Sequence, residues 1–125
     1  MNLIDLNILT ATPLSRPATS TATVTGTGVD LVAYEGVLKV TQEVGAVSGT
    51  TPTLAGKIQD SADNSAWADV AGLAFTQVTA ANSSQSLQVD TRSVRRFIRY
   101  VGTIGGTTPS FANAVQMIGA TKRLG

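Results

Sequence analysis

The chain has 125 residues, enough for one domain with a core of its own. Only 14% are charged and the formal net charge is +1, so bulk electrostatics favours no class of partner. There is no cysteine and no histidine, which excludes disulfides, thiolate nucleophiles, Cys/His zinc sites and histidine general bases together.

Residues 1–9 alternate. Ile4, Leu6 and Ile8 fall on one side and Asp5 and Asn7 on the other, the period of a strand. No early Lys or Arg and no unbroken apolar run mark a signal peptide. No stretch approaches the ~20 apolar residues of a membrane span, so no membrane is expected as a partner. In 10–20, Pro13 and Pro17 hold the chain extended and non-helical. The expectation is an N-terminal arm and linker over 1–20, with an apolar tip of Leu3, Ile4, Leu6, Ile8 and Leu9 on a semi-stiff tether. The tip has two open placements: an edge strand of its own domain, or strand addition to a neighbouring subunit. The β domain occupies 21–125.

Residues 21–34 read as a Thr/Val strand, a break at Gly26–Gly28, and a second strand from Val29 to Tyr34. Glu35-Gly36 is a turn. The segment 37–61 is expected to be a hairpin turning at Gly49-Thr50-Thr51-Pro52. Leu38, Val40, Val44 and Ala46 line one face before the turn, and Leu54 and Ile58 follow it. Lys39, Thr41, Glu43, Lys57 and Gln59 point outward, where side chains pair across strands. Asp60, Asp63 and Asn64 suggest a calcium loop, but no bidentate glutamate closes it, so a plain turn and no metal are expected. Trp67 opens the next strand and is expected to anchor the core. Leu73, Phe75 and Val78, then Leu87 and Val89, continue the inward pattern.

The second expected hairpin is 95–120. Ile98, Tyr100 and Ile104 share one face, and Phe111, Val115 and Met117 share another. Its loop repeats the first: Gly106-Thr107-Thr108-Pro109-Ser110-Phe111-Ala112 matches Gly49-Thr50-Thr51-Pro52-Thr53-Leu54-Ala55 at five of seven positions. No helical period is sustained. Short strands with turn signals between them predict an all-β, single-domain antiparallel β-sandwich, jelly-roll-like, with Trp67, Ile98, Tyr100 and Phe111 buried.

Catalytic signals are absent. The eight acids form no pattern that pairs two carboxylates, and no glycine-rich loop leads into a helix. Serines have no histidine base. The expectation is no enzyme and no cofactor. Six of the nine basic residues, Arg92, Arg95, Arg96, Arg99, Lys122 and Arg123, lie beyond position 91. Arg95 and Arg99 are read on the face opposite Ile98 and Tyr100. That face is either solvated surface that blocks edge pairing or a dock for an acidic protein surface. Nucleic acid is not expected, because the aromatics do not interleave with the basic residues.

The order Lys57-Ile58-Gln59-Asp60-Ser61-Ala62-Asp63, Trp67-Ala68-Asp69-Val70, Phe75-Thr76-Gln77-Val78, Arg96-Phe97-Ile98-Arg99-Tyr100 and Gly105-Gly106-Thr107-Thr108-Pro109-Ser110-Phe111 resembles the head decoration (cement) proteins of tailed bacteriophages. The resemblance covers about 36–120. It implies a β-sandwich without enzymatic activity, made in the bacterial host cytoplasm and carried on the capsid exterior. The implied partner is the major capsid protein, and a homotrimer is the implied oligomer. Leu3, Ile4, Leu6, Ile8, Arg95 and Arg99 are the candidate capsid or subunit contacts. The alternatives are a carbohydrate- or host-surface-binding module on a virion, or another head or tail component.

Overall fold

Alternating Thr/Val-rich stretches fold as strands because β-branched side chains fit a half-buried pleated surface. The computed structural model describes residues 9–121. They form β1 (Leu9–Ser20), β2 (Val24–Thr25), β3 (Val29–Asp30), β4 (Tyr34–Ser61), β5 (Ala68–Ala74), β6 (Ser83–Asp90) and β7 (Phe97–Thr121). Every strand pairing is antiparallel, and the described residues contain no helix.

Neither 37–61 nor 95–120 is a hairpin. Each is one long strand, and the two pair with each other from Tyr34↔Thr121 to Ser61↔Phe97. The repeated Gly-Thr-Thr-Pro segments meet halfway along, where the register shifts on both sides of Thr50↔Thr107. Gly49 and Gly106 have φ of 110° and 112°, and Thr51 and Thr108 have φ of 45° and 46°. A two-residue type I′ reversal needs positive φ at adjacent residues. Here Thr50 and Thr107 separate the positive-φ positions, so each strand kinks and continues. The glycines are required twice over. A Cβ on Gly49 would lie 2.6 Å from the Thr108 carbonyl oxygen, and one on Gly106 would lie 2.7 Å from that of Thr51.

The kink divides one sheet into two layers, the way strands turn corners between sheets of a sandwich. One layer holds β1, the second half of β7, the first half of β4, and β6. The other holds β2 and β3, the first half of β7, the second half of β4, and β5. The fold is the expected single-domain antiparallel β-sandwich. Leu38, Val40, Val115 and Met117 from the first layer pack with Ile58, Ile98 and Tyr100 from the second. Val44, Leu54, Val78 and Phe111 fill the space beneath the corner.

Three expectations about packing change. Residues 10–20 are no free tether: they belong to β1, which pairs with β7 and buries Leu14. Pro13 and Pro17 fit there because β1 is an edge strand, and its register shifts beside them. Leu3, Ile4, Leu6 and Ile8 lie outside the described residues. Ala46 is exposed, because a register shift between Val44 and Val47 turns Val47 inward instead. Trp67 is only half-buried and lies outside both core clusters, whereas Ile98, Tyr100 and Phe111 are fully buried.

Tyr100 joins the layers at the centre. Its ring lies against Gly56 and Gly102, a cross-strand pair where an added Cβ would come within 2.8 and 2.7 Å of the Tyr100 hydroxyl. That hydroxyl donates to Gln42 Oε1 at 2.6 Å, and Phe75 meets the ring edge-on at 6.2 Å. Gln42 is fully buried, and its Nε2 has no hydrogen-bond partner. Tyr100→Phe would strip Gln42 of its one partner, at a cost of about 1–3 kcal/mol. Gln42→Leu in the same chain should recover part of that loss, as read by urea melts. Burial also raises the Tyr100 pKa above its ordinary value. The unfolded chain therefore ionises first, and this contribution to stability is present below about pH 10 and lost as pH rises further. Tyr100→Phe should flatten that alkaline limb; an unchanged limb would remove Tyr100 as its source.

Candidate functional site

The arginines cluster because residues 91–96 link β6 to β7 across one end of the sandwich. Each arginine of this link is tied to an aspartate. Arg92 meets Asp90 at 3.4 Å, Arg95 meets Asp60 at 2.9 Å and Arg96 meets Asp30 at 2.7 Å. The Asp60 tie is the most complete. Arg95 donates Nε and Nη2 to Asp60 Oδ1 and Nη2 to the Asp60 carbonyl, and its backbone N–H donates to Oδ2. The Asp60 side chain is 12% exposed and that of Arg95 46%, so the carboxylate end of this pair is shielded while the guanidinium stays partly in water.

Arg95 and Arg99 do not form one free basic face. Arg95 precedes β7 and holds the end of β4, while Arg99 is on β7 itself. Arg99 lies 4.5 Å over the Trp67 ring and donates to Gln59 Oε1. Gln59 donates onward to Asp69, which also receives Lys57. Trp67 is thus the floor of a polar network on the outer face of β4 and β7, not a core anchor. Its far end lies against Gly28, where a Cβ would come within 2.9 Å of the indole. The guanidinium of Arg96 likewise sits 5.1 Å from the Phe97 ring centre. Both surface aromatics therefore carry an arginine on one face, which removes that face from sugar stacking.

The two acids of the Asp60–Trp67 turn are both engaged, one within the turn and one outside it. Asp63 Oδ1 accepts from the Ser65 and Ala66 backbone N–H groups and from Ser61 Oγ. Asp60 is held by Arg95. No three acidic side chains gather among the described residues. Hydrogen bonding lowers several carboxyl pKa values. Arg96 is the main cause at Asp30, the Ala66 N–H at Asp63, Gln59 at Asp69 and the Arg92 N–H at Asp90. These groups support the fold above the ordinary carboxyl range and cease to do so as pH falls through their lowered values.

Outward residues of β4 pair as their alternation implied, but with other strands. Glu43 accepts from Ser84 on β6 at 2.6 Å, and Thr41 meets Ser86 at 3.3 Å. Sequence reasoning passed over one further feature, an exposed apolar groove on the outer side of the first layer. Leu9, Val37 and Ile118 line it. The signal was present: Val37 and Ile118 are apolar at positions whose neighbours Leu38 and Met117 already face the core.

No family model matches the chain, and no curated protein matches it.

Asp60→Ala would remove the carboxylate that accepts from Arg95 Nε, Nη2 and backbone N–H, leaving only the main-chain carbonyl to Nη2, at a cost of about 1–3 kcal/mol. Asp30, whose side chain is 36% exposed, should cost less when changed to Ala. Equal urea midpoints for the two variants would contradict the ranking.

Proposed function

We propose that this chain is a structural virion protein that binds the outer surface of a bacteriophage capsid, with the major capsid protein as partner and no catalytic role. One observation carries the reading. The segments that resemble decoration proteins come together on one part of the fold. Lys57–Asp63 closes β4, Trp67–Val70 leads into β5, Phe75–Val78 follows β5, and Arg96–Tyr100 opens β7. Arg99, Gln59, Trp67 and Asp69 link three of these segments in one network, Phe75 of the fourth packs on Tyr100, and Gly105–Phe111 forms the adjoining corner. In this reading the protein is made in the host cytoplasm and sits on the capsid exterior, as a trimer at threefold positions. A glycan-binding module is the weaker reading, because Trp67 and Phe97 each carry an arginine over one ring face.

The test uses capsids purified without this protein. Added protein should co-sediment with them at a fixed ratio to the capsid subunit and raise their melting temperature, because a ligand stabilises the state it binds. Capsids that neither retain the chain nor gain stability would sink the proposal.

A further inference from the structure

Four large apolar side chains stay exposed among the described residues, and three of them meet in one place. Leu9 (39% exposed), Val37 (56%) and Ile118 (40%) line a groove of about 640 Å³, with Leu38, Gly119 and Ala120 beside them and Lys39, Ser86 and Gln88 along its polar rim. The groove has a structural origin. Between Glu35 and Lys39 the β4–β7 register shifts, and Gly36 takes a φ of 74°. The resulting bulge lies beside Val37, next to Ile118 of β7, on the side away from the core.

We infer that this groove receives residues 1–8 of a second copy of the chain. The groove begins at Leu9, the residue that follows a segment alternating Ile4, Leu6 and Ile8 with Asp5 and Asn7. Such a segment offers the strip of apolar side chains that an apolar groove takes up, and several buried together outweigh the ordering of a short strand. Its own groove is the wrong one. β1 runs antiparallel to β7, and its last described pair is Leu9↔Ala120. The register rises along β7 toward the N-terminus of β1, so the same register carried past Leu9 points beyond Ala120, away from the level of Val37 and Ile118. To return, the chain would have to reverse at Asp5 or Asn7, its turn-forming residues, and a turn there would break up the single strip of Ile4, Leu6 and Ile8. A straight segment of eight residues spans roughly 26 Å, enough to reach the same groove on a neighbour. Mutual insertion closes symmetrically, each copy giving a segment and taking one.

The inference does not rest on the capsid reading, and its test needs the purified chain alone. Because the chain has no cysteine, introduced thiols report only on the designed contact. Leu6→Cys in one preparation and Val37→Cys or Ile118→Cys in another are mixed and oxidised gently. A disulfide-linked pair of chains joining the N-terminal peptide to the groove peptide is expected. It should form at least tenfold faster than with a control thiol at the exposed Thr79. The Leu6→Cys, Val37→Cys double variant should link between chains at micromolar concentration. A disulfide within one chain at that concentration would overturn the exchange, and so would rates no faster than the control. Independently, Ile4→Asp with Leu6→Asp should keep the β circular dichroism and lose self-association in sedimentation velocity. A wild-type chain that sediments as a monomer up to its solubility limit would overturn the inference outright.

Discussion

The structure depends on two strands bending together. β4 and β7 form one ribbon from Tyr34↔Thr121 to Ser61↔Phe97, and the ribbon folds where Gly49 and Gly106 lie against each other's Thr-Thr-Pro segment. Each kink needs the other's backbone as its wall. Bending one strand alone would tear the ladder, whereas bending both at one level keeps most pairs. Everything else attaches to the two arms of this ribbon, β1 and β6 to one and β2, β3 and β5 to the other. Thr51 and Thr108 hold positive φ at the bend, a costly geometry for a β-branched residue that persists only because the arms on either side are fixed.

With the ribbon bent, the arms need a contact that sets their spacing. Tyr100 supplies it by lying over two glycines and reaching Gln42 in the opposite layer. The few charged groups then work at the ends. Asp60 and Arg95 tie the end of β4 to the link entering β7, and Arg96 ties the same link to Asp30 on β3. A chain with so little charge places much of it in internal ties, so its arginine-rich link is not a free positive patch.

The inward residues of each strand were legible because burial on one face imposes alternation: Leu38 and Val40, Ile98 and Tyr100, Phe111, Val115 and Met117 all face the core. The repeat was legible too, but its meaning was not. A Gly-Thr-Thr-Pro segment supplies positive φ for a turn or for a kink, and the choice rests on a partner strand distant in sequence. The role of Arg95 depends on Asp60, and that of Trp67 on Arg99, both long-range pairings invisible to local pattern. Only the fold shows Val37 and Ile118 to be neighbours across β4 and β7.

The ribbon also has a kinetic consequence. Its ladder is antiparallel, so the chain closing each pair lengthens steadily from Ser61↔Phe97 to Tyr34↔Thr121. Loop-closure entropy rises with that length, and contacts distant in sequence slow folding. We therefore hypothesise that the ladder closes like a zip from the Ser61 end, passes the glycine corner, and reaches Tyr34 and Thr121 last. On the ribosome, the first half of β4 would wait for its β7 partner with only β6 beside it, and the Leu9–Val37–Ile118 groove would take shape at the very end. Copies could then exchange segments only after each had folded, which keeps assembly from competing with folding.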